Sequence, residues 1–128
     1  MVARKKTWGD DGFVATVQYG AYEYSVKFVS EDKIKEFTDQ KEEGVRVFGG
    51  VNCYEQTILV SADASVQTQK ATLLHELVHA ILLRNGTSID EEDEKTQNVT
   101  SEALVDGMAL GVYEIIRRNP ELVRWIQK

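Results

Sequence analysis

The stretch Thr72-Leu73-Leu74-His75-Glu76-Leu77-Val78-His79-Ala80-Ile81-Leu82-Leu83-Arg84 decides how this chain is read. It lies in a run from Val66 to Arg84 without glycine or proline, closed by Asn85-Gly86, a helix-stop signal with glycine at C′. Its later half, Leu73 to Leu83, is apolar almost all round, which predicts a helix in the middle of the domain. On that helix His75 and His79 stand one turn apart on the same face. Two imidazoles so placed can hold one zinc ion through nitrogen. Glu76, about 100° round from His75, falls off the ligand line but beside the ion's open position. There it can take a proton from a water that zinc has acidified towards neutrality. The plain alternative is a histidine pair that fills space. Both of the chain's only two histidines fall in this one pattern.

A catalytic zinc site needs a third protein ligand. With no histidine left and Cys53 in a turn or strand, a carboxylate is expected. Ser101-Glu102-Ala103-Leu104-Val105-Asp106 offers the best one. Glu102 and Asp106 share a face of a second long helix, expected from about Gln97 or Thr100 to Arg118. That face continues through Ala109, Leu110 and Tyr113, so it reads as pointing into the core. Carboxylates on such a stripe are costly unless paired or metal-bound. Glu102 is assigned to the zinc, and Asp106 to the remaining ring N–H of a ligand histidine, fixing its tautomer. The competing reading is that Glu102 simply favours a helix N-terminus.

Upstream of this pair of helices the chain reads as strands. Phe13, Ala15, Val17 and Tyr19 alternate with polar or small residues, Gly20-Ala21 turns, and Tyr22, Tyr24, Val26 and Phe28 alternate again: a hairpin with one buried face. Ser30 can N-cap a short helix with Glu31 and Asp32 in its first turn, Ile34 and Phe37 inward, and Gly44 at its end. Val45 and Val47 begin a strand, Gly49-Gly50 turns, and 57–60 reads as a further strand. Downstream, Asn119-Pro120 starts a last helix that docks through Trp125 and Ile126. Strands followed by helices give an α+β domain, expected to span residues 1–128 as one unit.

Composition limits what such a domain does. At 128 residues it can bury about two-thirds of its unfolded surface. Hydrophobic content of 42% and charged content of 28% suit a globular chain rather than a disordered one. A net charge of −6 argues against a broad nucleic-acid surface, and Lys5-Lys6 and Arg117-Arg118 are too short to supply one. One cysteine excludes an internal disulfide. No apolar run approaches membrane-span length and no signal h-region follows the basic start, so a cytoplasmic location is expected. The acidic run at 90–94 reads as a solvated segment or a lid over the site.

His75-Glu76-Leu77-Val78-His79 followed by Ser101-Glu102-Ala103-Leu104-Val105-Asp106 resembles the gluzincin zinc metallopeptidases, and the small size is similar to the ImmA/IrrE-like metallopeptidases of bacteria and phages. The resemblance implies His75, His79 and Glu102 as zinc ligands, Glu76 as general base and Asp106 as partner of a ligand histidine. It also implies a zincin-like fold: a small twisted antiparallel or mixed sheet packed on the histidine-bearing helix and a glutamate-bearing helix. An edge strand near 57–60 would line the cleft and align a peptide by strand addition. The implied activity is zinc-dependent hydrolysis of a peptide or protein substrate. Thermolysin-type enzymes carry a further histidine for the oxyanion, and this chain has none. A tyrosine or an arginine would have to take that task; Tyr113, Tyr54 and Tyr22 are the tyrosines in view, each read first as core packing, and none is assigned the role. The competing function is a binding or regulatory module that keeps zinc with little or no catalysis.

Overall fold

The computed structural model describes residues 4–40, 42, 44–85 and 101–128. Among these residues, four strands and four helices follow one another as β1 (Val14–Tyr19), β2 (Tyr22–Val29), α1 (Glu31–Phe37), β3 (Gly49–Asn52), β4 (Thr57–Ser61), α2 (Val66–Arg84), α3 (Ser101–Arg118) and α4 (Pro120–Gln127). The expected α+β class holds, with a mixed sheet in the order β1-β2-β4-β3. The β1–β2 and β3–β4 pairs are antiparallel, whereas β2 and β4 run parallel.

The hairpin follows the alternation in the sequence. Tyr19 pairs with Tyr22 across Gly20-Ala21, and Gly20 takes a positive φ of 61°, which a side chain would disfavour. Val17, Tyr24, Val26 and Phe28 are fully buried on one face. Ser30 precedes α1, but its hydroxyl makes no capping hydrogen bond, and α1 ends at Phe37 rather than near Gly44. Asp39 follows at φ 56°, so the chain has already left helical geometry.

Two expectations about the next segment are corrected. Gly49 and Gly50 are not a turn: they are the first residues of β3. A Cβ on Gly49 would collide with Thr72 Cγ2, and one on Gly50 would lie 2.6 Å from Thr38 Cγ2. The glycines are there because α2 and α1 crowd the strand, and the turn falls later, where Gln56 has φ 53°. The strand at 57–60 is also not an edge. β4 sits between β2 and β3, with Ile58, Val60 and Ser61 fully buried, and β3 is the edge on that side, β1 on the other. An apolar run without alternation is what a strand covered on both faces requires.

Ser65 caps α2, its Oγ accepting from the Thr68 N–H at 3.2 Å. The helix spans the expected residues to its last described turn; Gly86, its expected stop, lies outside the described residues, as do the 90–94 run and the expected start of α3. Leu73, Leu77, Ala80 and Ile81 face the sheet and join one core with Ile115, Leu122 and Trp125. Each fully buried leucine or isoleucine there contributes about 1.5–3 kcal/mol. Gly111 lets α3 lie against α2, since a Cβ there would sit 2.7 Å from Ile81 Cγ2. Trp125 docks α4 by stacking on Trp8 at 5.2 Å between ring centres.

The α3 face read as inward is in fact outward. Glu102, Asp106 and Ala109 are exposed, with Leu110 at 69% and Tyr113 at 63% exposure. The packed stripe is Leu104, Met108, Gly111 and Ile115. A stripe of small and apolar residues that lets two helix backbones approach outweighs a polar i, i+4 pair in choosing the buried side. Among the described residues, no helix is long and apolar enough to cross a membrane.

Candidate metal centre

α2 presents His75 and His79 side by side, their Nε2 atoms 3.1 Å apart and their rings at 74° to one another. The i, i+4 spacing on an unbroken helix produces this arrangement directly. Both imidazoles lie at the solvent side of the helix, whereas Glu76, on the adjoining face, is only 7% exposed. Its stem passes under the edge strand, where a Cβ on Gly49 would stand 3.6 Å from Glu76 Cγ. Burial pushes the Glu76 carboxyl above its ordinary value, and the charge of His75 opposes that shift only in part. Partial burial, then the charge of His75, hold His79 below the usual imidazole value. His79 therefore keeps a free lone pair to lower pH than an ordinary histidine does.

The pair passes a simple test as a metal-binding element. Zinc–nitrogen bonds are about 2.0–2.1 Å, so nitrogens 3.1 Å apart can both reach one ion. Without an ion, one ring donates an N–H to the other. Among the described residues, no third His, Cys, Asp or Glu converges on the pair. Glu102 and Asp106 are on the exposed side of α3, so the structure brings together His75, His79 and Glu76 but not the two acids of the second helix.

His75 and Glu76 border a cavity of about 410 Å³ whose other lining residues are Arg46, Val47, Phe48, Gly49, Ala71 and Thr72. Its wall is the edge strand and the extended segment leading into it, with Phe48 O accepting from the Ser61 N–H at 2.8 Å. A larger cavity of about 540 Å³ lies between α2, α3 and α4, but its lining of residues such as Leu74, Val78, Ile116 and Val123 offers no group suited to chemistry. None of the tyrosines considered for the oxyanion borders the histidine cavity. Tyr54 is 97% exposed, and Tyr22 carries the Arg84 guanidinium over its ring at 3.5 Å. Arg84 also donates to Tyr24 Oη and to the Cys53 carbonyl, both at 3.2 Å, tying the end of α2 to the sheet. Burial raises the Cys53 thiol above its ordinary value, which suits a resting thiol rather than a nucleophile.

Sequence reading passed over Arg46. The alternation of Val45, Arg46, Val47 and Phe48 was the available signal, since it sets Arg46 and Phe48 on one side of an extended segment.

A histidine pair one helical turn apart and a buried glutamate on the neighbouring face of α2 thus lie alongside the sheet edge. Residues 30–108 match the family described as the IrrE N-terminal-like domain of peptidases, and this match covers more than half of the chain. The chain belongs to this ImmA/IrrE-like metallopeptidase family. No curated protein and no solved structure matches it.

Proposed function

We propose that the protein is a zinc-dependent peptidase of zincin-like fold. The observation that carries this reading is two imidazoles whose nitrogens are close enough to share an ion, with the buried Glu76 on the adjoining face of the same helical turn. His75, His79 and, from α3, Glu102 would hold Zn2+, with Asp106 orienting a ligand ring. The part given to Glu102 and Asp106 rests on donor chemistry, because their carboxylates stand apart from the pair here. When bound, zinc supplies a Lewis acid that polarises a peptide carbonyl and acidifies water.

The chain's own residues do the rest. Glu76 takes the proton of the attacking water on a carboxylate oxygen and passes it to the leaving amine nitrogen. Its burial beside the strand limits the directions in which the carboxylate can point. The open side of β3 offers strand N–H and C=O groups to an extended peptide or protein segment. A soluble substrate in the cytoplasm suits a chain with one unpaired thiol.

A zinc-holding regulatory module is the second reading, favoured by the absence of a third ligand at the pair among the described residues. Zinc content and cleavage of a mixed peptide library by the parent and by Glu76→Gln decide between them. The peptidase reading expects chelator-sensitive cleavage that the variant loses by 100-fold or more, on the order of a lost general base. A parent that binds zinc and cleaves nothing supports the module; a variant as fast as the parent removes Glu76 as base.

A further inference from the structure

We propose that Arg46 is a specificity-determining residue that selects substrates bearing a carboxylate beside the scissile bond, an inference that rests on the peptidase reading of the same cavity. Arg46 lines the cavity that also contains His75 and Glu76. Its guanidinium is fixed from one side: Nε donates to both oxygens of Glu31, at 2.9 and 3.0 Å. Glu31 is anchored in turn by the Val47 backbone N–H at 3.0 Å, so the pair is braced against the segment that forms the cavity wall. The Phe48 ring lies 5.4 Å from the guanidinium carbon and supports it from another side.

Only the Nε hydrogen is used by these contacts, and among the described residues the two terminal nitrogens of Arg46 have no hydrogen-bond partner. A planar guanidinium held in place with unused N–H groups is suited to grip a carboxylate with two parallel hydrogen bonds. Because the side chain is already ordered by Glu31 and Phe48, little rotamer freedom is lost when the ligand arrives. The ligand carboxylate has two sources: an aspartate or glutamate side chain within the peptide, or the peptide's own C-terminus.

The test measures binding of fluorescent synthetic peptides to Glu76→Gln protein loaded with zinc, so that no cleavage intervenes. Peptides of one apolar frame carry an internal glutamate, the isosteric glutamine, or glutamine with either a free or an amidated C-terminus. The acidic member of the preferred pair is expected to bind about tenfold or more tightly, as a charge-assisted hydrogen-bonded pair provides. Arg46→Ala in the same background should remove that preference, and Arg46→Lys should restore a part of it. The glutamate-against-glutamine and free-against-amidated comparisons tell the two carboxylate sources apart. Equal binding of charged and neutral peptides, or a preference that survives Arg46→Ala, overturns the proposal. If the preference is present and depends on Arg46 but the parent with Glu76 cleaves none of these peptides, the peptidase reading fails while the carboxylate site stands.

Discussion

Gly49 of β3 meets Thr72 of α2 with no room for even a methyl group between them, and the Leu59 carbonyl closes the other side at 2.9 Å from where a Cβ would be. This junction places the sheet edge against the helical turn that carries His75 and Glu76. Gly49→Ala must therefore push the strand off the helix or bend it. Overpacking of this kind costs about 1–3 kcal/mol. A fall in Tm of about 5–10 °C is expected by calorimetry. An unchanged Tm would show that the two elements are not pressed together here.

The two histidines are expected to matter for zinc and little for the fold. Both are exposed, so His75→Ala and His79→Ala should each leave the chelated protein within about 0.5 kcal/mol of the parent. Zinc added to the parent should raise Tm by mass action, and neither variant should show the increase. Denaturation scans with and without zinc, together with elemental analysis, check this. A variant still stabilised by zinc to the parent's extent would place the ion elsewhere.

Glu76 gives a pH signature. Burial raises its carboxyl above the ordinary value of 4.5, so the folded state holds this proton more firmly than the unfolded chain does. The stabilisation tied to that proton is fully present below the unfolded value and is lost as pH rises through the folded one. Glu76→Gln removes this loss. In chelator-treated protein, the variant should therefore gain stability relative to the parent as pH rises from about 4 to 7. A difference that shrinks over that interval would mean that the buried charge is compensated.

Asn119 is worth more than its place at a helix start suggests. Its Oδ1 accepts from the Gln18 N–H at 2.8 Å, and its Nδ2 donates to the Gln18 and Ile115 carbonyls at 2.8 Å each. Asn119→Ala should cost about 2–3 kcal/mol, since these backbone groups are left without their partner in a partly buried setting. Urea unfolding should show a lower midpoint at unchanged slope. A loss below about 0.5 kcal/mol would mean that water replaces the amide freely.

The sequence made some features plain and hid others for physical reasons. The hairpin and α2 were legible because alternation, turn glycines and caps are local signals, and His75, Glu76 and His79 came with the helix that carries them. The roles of Gly49 and Gly50 were not legible. Glycine pairs signal turns when read locally, while here they answer to side chains distant in the chain, Thr72 and Thr38. The orientation of α3 was misread for a related reason: the spacing of Glu102 and Asp106 is visible in the sequence, but the close approach of Gly111 to Ile81 that decides the buried side is not. Arg46 escaped because its partner Glu31 belongs to a different element.

The side-chain amide of Asn119 imitates a peptide unit. By engaging both main-chain groups of Gln18, it occupies the outer border of β1 much as another strand would, and so blunts that border against unwanted pairing. The margin left open is the opposite one, β3, beside His75 and Glu76. A single residue at the start of the last helix thus covers one flank of the sheet and leaves the other as the flank on which the proposed peptide site would lie.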